Sequence, residues 1–218
     1  MTVTMPLEGK VLLHNVSWDE FENILIEIGE TRSSRIAYDR GTLEIVMPLQ
    51  EHEYFKDIIS DLVKDLAEEL DLDYECLGST TWKRRDRLAG VEPDNCFYIQ
   101  NEPLIRGNLN INLLQDPPPD LFLEIDYTSK SLNRMPICAR LGIPEIWRYE
   151  NGILQIYHLQ SGEYVEADIS LAFPNFPVKE IPGFVQQNLK AGRRAIRRLF
   201  REWVVGKNFV TSPSGRFI

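Results

Sequence analysis

Apolar residues recur at spacings of three and four from Glu51 to Leu70: Phe55, Ile58, Ile59, Leu62, Val63, Leu66 and Leu70. They mark one face of an amphipathic helix of about five turns. A second such pattern follows Ser17-Trp18-Asp19-Glu20, where Ser17 is placed to cap the helix and Glu20 to return the bond. It continues through Phe21, Ile24, Leu25 and Ile28 and stops near Gly29. Leu132, Met135, Ile137, Ala139 and Leu141 predict a short helix ending at Gly142, although Pro136 interrupts it. From Gly183 to Val205 one helix is expected, with Ile196, Leu199, Phe200, Trp203 and Val204 on one arc and arginines on the next.

Between these lie strands. Ser34 to Tyr38 and Thr42 to Met47 flank Asp39-Arg40-Gly41, and Glu145 to Tyr149 and Ile153 to Leu159 flank Glu150-Asn151-Gly152. Both read as hairpins with three-residue turns, the first closed by Pro48. Ser161-Gly162-Glu163 begins a further turn before Tyr164. Further strands are expected at Tyr74–Leu77, Thr80–Lys83, Asn95–Ile99 and Leu121–Asp126. Helix, hairpin, helix, strands, helix and hairpin in that order describe an α/β or α+β fold with a mixed sheet. Residues 1–180 are expected to form the core domain, and residues 181–218 a C-terminal basic amphipathic helix and tail.

The strand pattern carries the candidate chemistry. Leu121, Leu123, Ile125 and Tyr127 alternate with Asp120, Phe122, Glu124 and Asp126, so Glu124 and Asp126 share a face with Phe122. Their Cα atoms are then roughly 7 Å apart. A polar face turned to water accounts for many Glu-x-Asp strands, but Phe122 does not belong in solvent. A second Pro-Asp, at Asp94, also precedes an apolar run. Carboxylates that close in an apolar strand call for a cation or a proton. Asp94, Glu124 and Asp126 therefore suggest a site for a hard divalent ion, Mg²⁺ or Mn²⁺, and metal-assisted phosphodiester hydrolysis. Asp120, about 13 Å along the strand from Glu124, is too distant to share that ion.

Composition narrows the classes. The 218 residues are 43% apolar, enough for a core without disulfides or metals. No apolar run nears the ~20 residues of a membrane span, and Met1–Lys10 has no signal-peptide pattern, so a cytoplasmic protein with no membrane partner is expected. Cys76, Cys96 and Cys138 are too scattered for a zinc motif or a disulfide framework and are expected to be reduced core thiols. A charge of −9 opposes nucleic-acid binding by the whole surface. Local basic patches remain at Lys83-Arg84-Arg85-Asp86-Arg87 and along the last helix, where Arg193, Arg197 and Arg201 are candidate nucleic-acid contacts with Lys83 and Arg84.

Several landmarks, in order, resemble the Uma-type endonuclease family, a branch of the restriction-endonuclease-like PD-(D/E)xK superfamily. They are Asp39-Arg40-Gly41-Thr42-Leu43-Glu44, His52 at the start of the long helix, Glu92-Pro93-Asp94, Pro118-Pro119-Asp120-Leu121 with Glu124, and Gly142-Ile143-Pro144-Glu145-Ile146-Trp147. The resemblance covers Tyr38 to about Tyr157. It implies a mixed four-stranded core sheet flanked by helices, here with added hairpins and the basic C-terminal helix, and metal ligation by Asp94 and Glu124.

Two departures stand out. Asp126 occupies the place of the superfamily lysine two residues after the Glu, and Arg134 occupies the place of the lysine that the Uma-type pattern supplies from the next helix. Arg134 keeps the charge but cannot act as a base. Lys130 is a second cation within reach by sequence. On a helical wheel His52 and Glu51 fall on the side of Phe55 and Ile59, with Glu53 nearly opposite, which favours His52 or Glu51 as the site-facing residue, while the irregularity of a first turn leaves Glu53 open. The reading is a Mg²⁺-dependent nuclease acting on DNA, with Asp126 and His52 assisting and a homodimer as the assembly that cuts two strands. The alternative is a protein of the same fold that binds nucleic acid or a protein partner without turnover. A small-molecule hydrolase has no supporting motif.

Overall fold

A computed structural model describes residues 2–4, 9–29, 34–47, 50–126 and 132–206; of residues 2–4 and Asp126 it describes the backbone. Pro48, Lys130 and residues 207–218 lie outside the described residues. Two six-stranded sheets carry the chain. The first joins β1 (Thr2–Thr4), β2 (Lys10–His14), β4 (Thr42–Val46), β3 (Arg35–Asp39), β7 (Ala89–Val91) and β6 (Trp82–Arg84), in that spatial order and antiparallel throughout. The second runs β12 (Glu163–Ala167), β11 (Ile153–Gln160), β10 (Glu145–Glu150), β9 (Leu121–Asp126), β8 (Asn95–Tyr98) and β5 (Glu75–Cys76). Its parallel pair among the described residues, β9 with β10, is bridged by helix α4 (Met135–Leu141), as a parallel connection requires. The mixed core implied by the family resemblance is thus present as β8 to β11.

Helix α1 (Trp18–Ile28) begins with the expected capping box: Glu20 N donates to Ser17 Oγ at 3.3 Å, and Ser17 N to Glu20 Oε2 at 2.7 Å. It packs Trp18 and Phe21 on Ile36, Tyr38 and Leu43 of the first sheet. Helix α2 (Gln50–Glu69) lays Ile58, Ile59, Leu62, Val63 and Leu66 on Leu121, Leu123 and Ile125. On the opposite face of the second sheet, Cys96, Tyr98, Phe122 and Ile146 meet Ile137, Cys138 and Leu141 of α4. Burial on both faces explains why β8 and β9 read as nearly continuous apolar runs. Cys96 and Cys138 are free and buried, Cys76 free and half-buried, and burial raises the Cys96 thiol to about 12. A thiol held protonated there is no nucleophile.

The structure corrects several boundaries. The hairpin turns have two residues, Arg40-Gly41 and Asn151-Gly152, since Asp39 pairs with Thr42 and Glu150 with Ile153. Both turns have positive φ at both positions (47° and 95°; 49° and 83°), the backbone whose twist matches the flanking strands. The expected single tail helix is two, α5 (Ile181–Asn188) and α6 (Arg193–Gly206), separated at Gly192 with φ 83°. Pro136 sits in the first turn of α4, where its missing N–H costs nothing. Strands β1, β2 and β7 and the short helix α3 (Glu102–Ile105) were not expected from the pattern.

Helix α6 docks on α2 through Ile196, Phe200 and Val204 and through one buried acid. Asp65 accepts hydrogen bonds at 2.8 Å from Arg197 Nε, Arg197 Nη2 and Arg201 Nε. Asp65 is fully buried while the two arginine side chains are 35% and 40% exposed. We expect Asp65→Ala to lower the urea-unfolding free energy by about 2–3 kcal/mol. That is below the ~3–5 kcal/mol of a fully buried broken pair because both guanidinium groups can rehydrate. An unchanged urea midpoint would show that the clamp contributes nothing. Among the described residues no helix is long and apolar enough to cross a membrane.

Candidate active site

The chain passes from the first sheet to the second in three residues. Strand β7 ends at Val91 and β8 begins at Asn95, so Glu92-Pro93-Asp94 is the crossing. Each acid completes a strand edge on its own side of the proline, which has no N–H to offer. Glu92 N donates to Ile36 O at 2.9 Å, and Glu92 Oε2 accepts from Ile36 N at 3.0 Å, extending β3. Asp94 N donates to Leu123 O at 3.1 Å, and Asp94 Oδ2 accepts from Ile125 N at 2.7 Å. Asp94 is therefore held against β9 on either side of Glu124, by its backbone at Leu123 and by its carboxylate at Ile125.

Glu124 follows Phe122 on the face that α4 covers, and α4 opens with Arg134 as its N-cap residue. Arg134 Nη1 lies 3.2 Å from Glu124 Oε2 and donates to Glu92 O at 3.1 Å, while Nη2 lies 3.9 Å from Glu44 Oε2. Glu44 comes from β4 of the first sheet, is fully buried, and accepts from Leu132 N at 3.1 Å. Burial works against the Arg134 charge. The carboxylates of Glu124, Asp94 and Glu44 outweigh it and hold the guanidinium above its ordinary pKa. Three acids from both sheets and their junction thus act on one cation.

His52, in the first turn of α2, reaches the same place, its Nε2 3.1 Å from Asp94 Oδ2. Its Nδ1 is 3.5 Å from Glu53 Oε1. Arg35, the first residue of β3, lies between Asp94 Oδ1 (4.0 Å from its Nε) and Glu53 Oε1 (3.8 Å from its Nη2). It also lines a cleft of about 1160 Å³ shared with Glu92, Thr81 and Lys83. Glu51, favoured equally with His52 by the wheel, is exposed, and Glu53, the position left open, borders the site. The first turn puts His52 within reach of the crossing and Glu53 within reach of Arg35 on β3, which a regular wheel does not capture.

The pattern along the chain did not disclose Arg35 or Glu44. Glu44 carried a signal, one acid within the apolar run Leu43-Glu44-Ile45-Val46, as for Glu124. Arg35 carried none. The backbone of Asp126 pairs with Glu150 at the end of β9. Asp120 lies away from the carboxylates and holds the α3 entry, accepting from Ile99 N at 2.7 Å and Asn101 N at 2.9 Å. Glu145, fully buried, accepts from Trp147 Nε1 at 2.7 Å and Ala172 N at 2.9 Å, and burial raises its pKa. Lys83 pairs with Glu22 at 2.9 Å, Arg84 with Asp86 at 2.6 Å, and Arg193 lies 3.6 Å from Asp57. With Arg197 and Arg201 on Asp65, the candidate nucleic-acid contacts all have acidic neighbours.

Among the described residues no three His, Cys, Asp or Glu side chains stand close enough to chelate an ion by themselves. Asp94 and Glu124 offer two hard oxygen donors on adjoining backbone. That donor set suits an ion that takes one or two carboxylates and keeps several waters, as magnesium does.

The family model described as "Putative restriction endonuclease", Uma2, matches residues 18–190. The chain belongs to the Uma2 family. Asp94, Glu124, Glu44, Glu92, Arg134, His52 and Arg35 fall inside the matched span, and Arg193, Arg197 and Arg201 lie beyond it. Among solved structures, a chain titled "putative nuclease belonging to DUF820" from Anabaena variabilis is similar at 18% identity and a TM-score of 0.45, over 69% of this chain and 83% of that one. No curated protein matches the chain. Uma2 membership makes this a nuclease-type chain, a class generally served by divalent metals.

Proposed function

We propose that the chain is a divalent-metal-dependent endonuclease that hydrolyses DNA phosphodiester bonds at Asp94 and Glu124. The observation that carries this reading is the seating of the Asp94 carboxylate on Ile125 N, which sets it beside Glu124 on the central strand as a second hard donor. A bound Mg²⁺ or Mn²⁺ would supply Lewis acidity at the phosphodiester and an acidified water. Asp94 and Glu124 would hold it. Asp94 is fixed for that task by Ile125 N and oriented by His52 Nε2. Arg134 stabilises charge that builds on the phosphorus oxygens and takes no part as a base. Arg35, facing the cleft, is a second cation for the same charge. Asp126, two residues beyond Glu124, assists.

DNA contacts outside this centre are proposed for Lys83, Arg84, Arg193, Arg197 and Arg201, and a homodimer in the cytoplasm is proposed as the acting form. A second reading has one observation in its favour. Arg134 Nη1, 3.2 Å from Glu124 Oε2, already gives that carboxylate a cation, as in a binding protein without turnover.

Incubation of supercoiled and linear DNA with the protein and Mg²⁺ or Mn²⁺ tests the first reading. Nicked and linear products are expected, and EDTA is expected to abolish them. Cleavage unaffected by EDTA would overturn the metal assignment. Tight DNA binding with no cleavage under either metal would select the second reading.

A further inference from the structure

Beyond the carboxylate centre, a groove of about 510 Å³ is lined by four arginines, Arg40, Arg84, Arg87 and Arg140, with Pro136 and Gly162. They come from the β3–β4 turn, the end of β6 and the turn that follows it, and the last turn of α4. The chain as a whole carries −9. Here the balance is reversed. Asp86 pairs with Arg84 at 2.6 Å and lies 3.5 Å from Arg87, and Asp39 pairs with Arg140. Among the described residues Arg40 has no ion pair, so two acids stand against four guanidinium groups. The C-terminal end of α4 also borders the groove and opposes an anion, but a helix end contributes at most about half a charge. Its terminal turn is moreover closed by Gly142 N, which donates to Cys138 O at 3.0 Å and Ala139 O at 3.1 Å.

The groove has a fixed relation to the carboxylates. From Arg134 at the N-cap of α4 to Arg140 in its last turn is six residues, or about 9 Å of helix. Strand β3 runs from Arg35 to Asp39, four residues or about 13 Å. The Arg140–Asp39 pair ties the far ends of these two elements together. Both therefore lead from the candidate active site to the groove. With one phosphate per ~3.4 Å of axis on each strand, that reach corresponds to roughly three to four nucleotide steps. Guanidinium groups suit this ligand because they bind phosphate oxygens with paired donors and stay charged.

We propose that this arginine groove binds the phosphate backbone of the nucleic acid a few nucleotides from the bond cut at Asp94 and Glu124. The inference rests on the nuclease reading for the identity of the polyanion, but binding tests it without turnover. The probe is a short fluorescent duplex DNA, titrated by anisotropy in EDTA over a range of salt concentrations. The Arg40→Asn/Arg87→Gln double variant removes two charges, and asparagine suits the positive φ of 47° at position 40. Its affinity at low salt is expected to fall at least roughly tenfold. The slope of log K against log salt is expected to shrink by about 0.9 for each lost phosphate contact.

Arg40→Lys/Arg87→Lys, which keeps both charges, is expected to retain most of the slope. Arg87→Glu, at a side chain 55% exposed, gives the same readout should the double variant fail to fold. Wild-type affinity and slope in the charge-removing variants would overturn the proposal, as would absence of DNA binding by the parent protein. Binding lost in those variants, from a parent that never cleaves DNA, would sustain the groove and defeat the nuclease reading alone.

Discussion

Asp94→Asn and Glu124→Gln are each expected to reduce metal-dependent DNA cleavage by roughly a thousandfold, equivalent to about 4 kcal/mol of transition-state stabilisation. Both replacements keep volume. The asparagine retains an oxygen to accept from Ile125 N, and the glutamine one to face Arg134, so the local structure stays assembled. What each loses is the anionic donor that a hard cation requires. Because both acids serve one ion, their losses are not additive, and the double variant should be little worse than either single one. Calorimetric titration with Mn²⁺ on the same proteins should show weakened binding in step with activity. Cleavage that survives both substitutions would remove this centre from the mechanism. Multiplied losses in the double variant would mean that the acids act separately.

Arg134→Met is expected to destabilise the fold by about 3–5 kcal/mol in urea unfolding, the cost of removing one partner from a buried ion pair. Arg134 is 7% exposed, and its loss leaves Glu124, Asp94 and Glu44 facing one another without it. Methionine fills much of the space, so the effect reads charge rather than cavity. Arg134→Lys should cost less, since one ammonium can serve Glu92 O and Glu124 as Nη1 does, and only the second nitrogen that approaches Glu44 is lost. Mn²⁺ should restore part of the lost stability in Arg134→Met by binding only the folded state. A urea midpoint equal to the parent's would show that the carboxylates do not depend on this arginine.

The parts of the fold legible beforehand were those with an unbroken period. Helix α2 repeats over twenty residues and β9 alternates over six, so both were visible with nearly correct ends. Strand β7 is Ala-Gly-Val, three small residues with no period to detect, and it was missed. The break between α5 and α6 rests on Gly192, a lone glycine within a helical pattern. Asp94 and Glu124 stood out as acids in apolar runs, and their meeting follows from the backbone bonds of the crossing. Arg35 looked like any strand-end arginine, because its neighbour Asp94 is distant in sequence. The α6 arginines read as a free basic stripe for the same reason: Asp65, which engages Arg197, lies 132 residues away.

The Glu92-Pro93-Asp94 crossing makes the outer sheet a gauge for the inner one. Glu92 is stitched to β3 and Asp94 to β9, with a rigid imino acid between them. A slip of the outer strands by even one register step would drag the Asp94 carboxylate off its seat. Substitutions on β3 or β7, remote from any phosphate, should thus be felt as altered metal affinity before they are felt as unfolding.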